Sequence, residues 1–262
     1  MRRRYVDKTR INTDSTTVFR RAYLPEESRQ FRVATYNVHR WGGRTGRALV
    51  PFHASKVIRE LDADILALQE VLLPWGSPNP LTQLALSLGM HVIFGATRSH
   101  RAGLLGNALL ARWPAQDVQR LDLSQTRWEF RGAVLGRYQP WDGINLCVIA
   151  THLALGMRTR ALQVQHLLMH PWIQSGPVVL LGDLNAWCST QATRELARRL
   201  AEPHRRIWPR TFPSSAPFMA LDRIYTQDIR LAALQVHATR AARRGSDHLP
   251  VVAHLHVDTG VS

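Results

Sequence analysis

The stretch Val178-Val179-Leu180-Leu181-Gly182-Asp183-Leu184-Asn185 passes in one step from an unbroken apolar run to Gly-Asp-x-Asn. Four branched apolar residues in a row read as a strand. The polar residues that stop it then stand at the edge of a sheet. Outward from this stretch, the same short apolar texture recurs at Phe31 to Val38, Asp64 to Gln69, His91 to Phe94, Asn107 to Ala111, Ala133 to Tyr138, Ile144 to Thr151, Leu221 to Thr226, Leu231 to Val236 and Val251 to Val257. Residues 51 to 61, 80 to 88, 158 to 173 and 189 to 201 instead carry helix-period spacing, as at Leu162, Leu167 and Met169 or at Leu196 and Leu200. About ten strands with few helices exceed what one doubly wound sheet uses. The spacing predicts an α/β fold, a four-layer α/β/β/α sandwich with two stacked mixed sheets and helices on their outer faces.

At 262 residues and 45% hydrophobic content, the chain suits one large core. A single domain is expected over residues 31–258. Residues 1–30, polar, basic and aperiodic, are expected to form a flexible N-terminal arm. Pro203 to Pro217, rich in Pro, Arg, Ser and Trp, reads as a long irregular loop. No apolar stretch of signal-peptide length follows Met1-Arg2-Arg3-Arg4, and no run approaches the roughly 18 apolar residues of a membrane span. A cytoplasmic protein without a transmembrane segment is the expectation. Cys147 and Cys188 are too few for a disulfide framework or a thiolate metal site, and both are expected to be free. The formal charge of +15, from 34 Lys+Arg against 19 Asp+Glu, predicts a field that draws in phosphate-bearing polymers or anionic membrane. All of these cations except Lys8 and Lys56 are arginine, whose fork suits phosphate oxygens, although a coding bias gives the same count.

The informative pattern is a hydrophobic strand that ends in a residue able to bind metal or phosphate. Asn37 ends the first strand and Glu70 the second; His152 follows Val148-Ile149-Ala150-Thr151; Asp183 and Asn185 follow the run quoted above. Asp222 opens Asp222-Arg223-Ile224-Tyr225, and Asp247-His248 precede the last strand. Taken singly, each has an ordinary explanation. Asp183 or Asn185 alone reads as a helix N-cap, Glu70 as a solvated strand end, His152 as a hydrogen-bonded core histidine, and Asp222 as half of an ion pair with Arg223. Taken together, the coincidences favour a site. Oxygen donors of this kind suit magnesium or manganese, and a phosphoester hydrolase needs such a cation, an oriented water and an acid for the leaving oxygen.

The chain resembles the endonuclease/exonuclease/phosphatase superfamily. The resemblance rests on Thr35-Tyr36-Asn37-Val38, Leu68-Gln69-Glu70-Val71, Gly106-Asn107-Ala108-Leu109-Leu110, Thr151-His152-Leu153, Gly182-Asp183-Leu184-Asn185, Leu221-Asp222-Arg223-Ile224-Tyr225 and Ser246-Asp247-His248-Leu249-Pro250, in the family's order. It implies that Glu70 is the main ligand of Mg2+ or Mn2+, with Asn37 and Asp247 beside it. Asp183 would orient or deprotonate the attacking water, and Asn185 would hold that water or a phosphate oxygen. His248 would contact the scissile phosphate with its tautomer fixed by Asp222, and His152 would serve the leaving-group side. Asn107 and Arg131 are candidates for contact with substrate phosphate, against a strand-capping role and a surface charge respectively. His152 and Ala186-Trp187 depart from the abasic-site branch. Arg160 and Gln163 after Thr151-His152-Leu153 are similar to the sphingomyelinase and general phosphatase side. His39 stands where some relatives carry a carboxylate, which puts a second cation in doubt.

The expected function is divalent-metal-dependent hydrolysis of a phosphoester, favouring a phosphodiester, by in-line attack of water. Nucleic acid is the first substrate class, supported by the charge and by Arg198-Arg199, Arg205-Arg206 and Arg243-Arg244. The alternative is a phospholipid-headgroup or small-molecule phosphodiesterase or phosphatase in peripheral contact with anionic membrane, with Trp187, Trp208, Phe212 and Phe218 around its entrance. A third reading, an inactive anion-binding module, conflicts with reactive residues at every motif.

Overall fold

The computed structural model describes residues 28–46, 49–76, 79–174, 176–200 and 208–258. In chain order these form β1 (Ser28–Asn37), α1 (Pro51–Leu61), β2 (Ile65–Pro74), α2 (Pro80–Leu88), β3 (His91–His100), β4 (Gly103–Ala111), β5 (Asp117–Asp122), β6 (Gly132–Tyr138), β7 (Leu146–His152), α3 (Met157–Leu168), β8 (Val178–Asp183), α4 (Gln191–Arg199), β9 (Asp222–Gln227), β10 (Arg230–Val236), α5 (Ala242–Gly245) and β11 (Val251–Asp258). A six-stranded sheet runs β10-β11-β1-β2-β4-β3 and a five-stranded sheet runs β5-β6-β7-β8-β9. Each holds one parallel pair, β1 with β2 and β7 with β8. Parallel neighbours need a crossover, and α1 and α3 supply it.

Alternation along the central strands explains the layering. In β8, Val179 and Leu181 face the space between the sheets, while Val178 and Leu180 face α3 and α4. In the other sheet, Ile65 and Ala67 of β2 point between the sheets, and Leu66 and Leu68 pack under α1 and α2. Both faces of each sheet are covered, so these strands read as continuous apolar runs rather than alternating ones. The expected four-layer sandwich is the fold observed.

The boundaries differ in instructive ways. β1 opens at Ser28, within the stretch expected to be arm, because Arg29 and Gln30 pair with Val257 and His256 of β11. The rest of that arm, and Arg205-Arg206 of the irregular loop, lie outside the described residues. β2 does not end at Glu70 but continues to Pro74 through a bulge between Leu68 and Val71. β5 had no expected counterpart. It is an edge strand whose residues are largely exposed, so Asp117-Val118-Gln119-Arg120-Leu121-Asp122 has no buried face to impose a period. Cys147 is buried and Cys188 exposed, both free. Among the described residues no helix is long and apolar enough to cross a membrane.

Candidate active site

The parallel pairs deliver their carboxyl ends to one place. Asn37 closes β1, and its Nδ2 lies 3.1 Å from Asp183 Oδ2 of β8 and 3.4 Å from Glu70 Oε1 of β2. This amide therefore joins the two sheets at the site. Glu70 reaches it because the β2 bulge sets two residues, Gln69 and Glu70, against Asn107 of β4, and holds Glu70 at φ 52. A second register shift, between Ala96 and Arg98 of β3, lies beside it. Bulges re-aim side chains at the cost of pairing, and a left-handed glutamate is strain kept at a site. Gly182 permits close approach on the other side: a Cβ there would stand 1.9 Å from Thr151 O of β7.

Asp183 is the hub. Its Oδ1 accepts the backbone N–H of Asn185 at 2.9 Å, and its Oδ2 lies 3.5 Å from His152 Nε2 and 3.6 Å from His248 Nε2. The neighbouring helix α4 is capped by Thr190, so the N-cap reading of Asp183 and Asn185 does not apply. Asn185, at φ 50, turns Nδ2 to Leu153 O at 2.9 Å and to His152 Nε2 at 3.1 Å. That contact makes Nε2 the acceptor and leaves the proton of a neutral His152 on Nδ1. Asp222 is not paired with Arg223, whose guanidinium goes to Ala186 O and Tyr225 Oη. Instead Asp222 Oδ2 lies 2.8 Å from His248 Nδ1.

The two histidines are driven apart. Burial dominates at His152 and, despite the opposing pull of Asp183, lowers its pKa from 6.5 to about 3. At His248 burial also lowers the pKa, but Asp222, Asp183 and Asp247 together outweigh it and raise it to about 10. Divergence of two titratable groups separates their chemical roles. At neutral pH one imidazole is neutral and the other charged.

Above this layer is a cleft of about 310 Å³ lined by Glu70, Asp247 and His152, with Arg40, Arg98 and Arg131 around it. Asn107 also lines it, and donates Nδ2 to Gly132 O at 2.8 Å. Arg131 pairs with Glu129 at 3.1 Å, yet its Nε and that of Arg40 are buried without hydrogen-bond partners. Arg40 Nε stands 3.9 Å from Glu70 Oε2, beyond hydrogen-bond reach, and guanidinium N–H groups without a hydrogen-bond partner at a cleft await an acceptor. Arg40 and Arg98 were not singled out from the sequence. Arg40 follows Asn37-Val38-His39 closely enough for its place in the chain to have marked it, whereas nothing distinguishes Arg98 from the other arginines.

Arg160 and Gln163, fully buried on α3, hold the loops rather than the substrate. Arg160 donates to the carbonyls of Asn185, Ala154 and Leu155, and Gln163 accepts from Ala154 N at 2.8 Å. Phe212 packs its ring 4.9 Å from that of His248, and Trp208 packs on Tyr225, so these two are anchors. Trp187 and Phe218 are exposed.

The donor set can be tested for a hard cation. Glu70 and Asp247 present carboxylates to the same cleft and stay partly open to water, as a cation that keeps waters requires. Asn37 faces Glu70 with its nitrogen, and its Oδ1 accepts His39 N–H at 3.0 Å, so in this arrangement it holds carboxylates. Oxygen from Asn37 requires its amide to turn. Asp183, Asp222 and His248 also place ligand atoms within 4.8 Å of one another. A cation among them would displace the Asp222–His248 bond in a sealed position, so Glu70 and Asp247 fit better.

Fold and site together define a phosphoesterase-type hydrolase. A family model described as the Endonuclease/Exonuclease/phosphatase family matches residues 34–248, and the chain belongs to that family. It is 28% identical over 256 residues to the uncharacterized protein YbhP of Escherichia coli (strain K12), covering 89% of this chain and 100% of that one. An endonuclease/exonuclease/phosphatase from Beutenbergia cavernae has a similar structure, with TM-score 0.71, 23% identity and coverage of 87% of this chain and 72% of its own. A mannosyl-6-phosphatase from Bacteroides thetaiotaomicron has TM-score 0.65 at 18% identity, covering 86% of this chain and 99% of its own.

Proposed function

We propose that the chain is a divalent-metal-dependent phosphodiesterase that cleaves by in-line attack of water, with nucleic acid as its first substrate class. The observation that carries this reading is Asp183 Oδ2, placed between a neutral His152 and a charged His248 beneath a cleft of carboxylates and arginines. Glu70 and Asp247 would hold Mg2+ or Mn2+, which supplies charge neutralisation at the non-bridging oxygens when bound. Asp183 takes a proton from the attacking water as its oxygen bonds to phosphorus. Asn185 steadies the oxygen beside it. His248, kept protonated by Asp222, Asp183 and Asp247, donates to the phosphate and returns a proton to the leaving oxygen as the P–O bond breaks. His152 stays neutral and orients the leaving-group side. Arg40, Arg98 and Arg131 receive the anion.

A second reading, a phospholipid-headgroup or small-molecule esterase at an anionic membrane, is favoured by Trp128, Leu155, Met157 and Trp187, all exposed on segments near the cleft. One side-by-side assay separates the two. Chelator-treated protein restored with Mg2+ or Mn2+ is given plasmid, oligonucleotide, phospholipid vesicles, inositol phosphate and mannose 6-phosphate, with Asp183→Asn and His248→Ala alongside. Cation-dependent nicking or oligonucleotide cleavage, lost in both variants, is expected. Turnover confined to the lipid or small-molecule arms selects the second reading, and equal turnover in Asp183→Asn overturns the mechanism.

A further inference from the structure

A second cleft opens on the far side of the turn that follows β1. Its volume is about 640 Å³, and Arg44, His53, Ser215, Arg240, Arg243 and Arg244 line it together with small and apolar groups. Among the described residues no carboxylate lines it. Arg243 is oriented by Ser214 O at 2.8 Å and Ser215 O at 3.3 Å, acceptors that carry no full charge. Four guanidinium groups around one cleft without a counter-charge raise the local potential, and a bound anion relieves it. The first turn of α1 adds to this: Val50 caps it with no side-chain hydrogen bond, no acidic residue follows, and His53 of that turn lines the cleft. Pro51 has no N–H to offer, but the N–H groups of Phe52 and His53 and the positive end of the helix favour the same ligand.

The two clefts share their wall. His39 and Arg40 line the catalytic cleft and Gly42 to Thr45 line the second, with His39 Nδ1 3.1 Å from Gly43 O and 3.3 Å from Asp247 Oδ1. Across the second cleft, Ser214 Oγ donates to Ser246 O at 2.7 Å, and Ser214 N lies 2.6 Å from Asp247 O. An anion held by Arg240, Arg243 and Arg244 therefore lies on the segments that carry Asp247 and His248.

Resting on the hydrolase reading above, we propose that this cleft is a second phosphate-binding site, which takes the second phosphate of a substrate whose first lies over Asp183 and His248. Arginine is the residue suited to this, because its fork meets two phosphate oxygens at once. Enzyme activity would then favour substrates with two phosphates over analogues with one.

The test has two arms. In the first, inorganic pyrophosphate is titrated calorimetrically into chelator-treated protein and into an Arg240→Ala/Arg244→Ala variant shown by circular dichroism and melting to be folded. Saturable binding weakened at least about tenfold by the substitutions is expected, since each charge-assisted contact contributes on that scale. Equal binding by both proteins, or none by either, overturns the proposal whatever the enzyme hydrolyses. In the second arm, a nucleoside 3′-(4-nitrophenyl phosphate) is compared with its 5′-phosphorylated form. A kcat/KM preference for the latter that falls about tenfold in the double variant supports the assignment. Loss of pyrophosphate binding with no preference to lose overturns the substrate assignment and leaves free phosphate as the ligand. Absence of turnover on both compounds, with pyrophosphate binding intact and dependent on the arginines, faults the hydrolase reading and keeps the site.

Discussion

At the bulge of β2 and beside the end of β1, Glu70 and Asp247 keep 26% and 27% of their side chains exposed, whereas at the end of β8 and the start of β9 Asp183 and Asp222 keep 2% and 0%. The backbone device is the same on both sides, a parallel pair whose carboxyl ends face the opposite sheet. The cover differs. The open pair can exchange waters and oxygen ligands, which a hard cation requires. The sealed pair works at low effective dielectric, where one carboxylate fixes the charge state of an imidazole. Under the proposed mechanism burial separates a cation side from a proton side, with Asn37 bridging them.

The sharpest way to break that division is to cut each side once and offer more cation. Asp183→Asn should lower turnover of a chromogenic diester by on the order of 10³-fold or more, with no recovery as Mg2+ or Mn2+ is raised. Glu70→Gln should lower it by roughly 10²-fold and recover part of the loss at high cation concentration. Steady-state kinetics across a metal titration read both. Matching metal responses in the two variants would erase the distinction.

A smaller effect, read by chemical denaturation of chelated protein across pH, isolates the sealed side. His248 has its pKa raised from 6.5 to about 10, so its contribution is fully present below 6.5 and is lost as pH climbs through 10. His152 has its pKa lowered to about 3, so its contribution is present above 6.5 and is lost as pH falls from there to about 3. Stability should peak near 6.5 and decline on both limbs by on the order of a few kcal/mol. Asp222→Asn should flatten the alkaline limb and leave the acid limb in place. An unchanged alkaline limb in that variant would mean that Asp222 does not hold the His248 charge.

The same contrast decides what the sequence could disclose. Asp183, Asn185 and His152 were legible because each abuts an apolar run that has no solvent reason to stop there. The facing that places Val179 between the sheets and Leu180 beneath α3 was not legible, because an unbroken apolar run carries no alternation. Nor was β5, since an exposed edge strand leaves no burial period. The reach of β2 beyond Glu70 was hidden because a bulge breaks the register that a strand reading assumes. The partner of Asp222 was legible only through the family resemblance, which pairs it with His248, since Arg223 is adjacent in sequence and His248 only in space. Arg98, Arg44 and Arg240 are ordinary arginines in a chain of charge +15 until the fold gathers them, whereas Arg243-Arg244 stood out in the sequence as a pair.

The mildest test addresses Arg131, at the rim between the two sides. Its pair with Glu129 joins half-open groups, and such pairs contribute about 1 kcal/mol or less. Arg131→Ala should therefore leave the melting midpoint nearly unchanged. Its buried Nε, without a hydrogen-bond partner, lies at the cleft proposed to take the anion, so KM should rise several-fold, up to about tenfold, with kcat moving less. Asn107→Ala is the counterpart. Its amide is committed to Gly132 O, which also accepts from Thr151 Oγ1 at 3.2 Å, so removal takes one of two donors from a buried carbonyl and should lower the midpoint by an amount worth about 1 kcal/mol. If instead Arg131→Ala melts early at constant KM, the arginine is a strut of the 124–131 loop, and the anion is received by Arg40 and Arg98 alone.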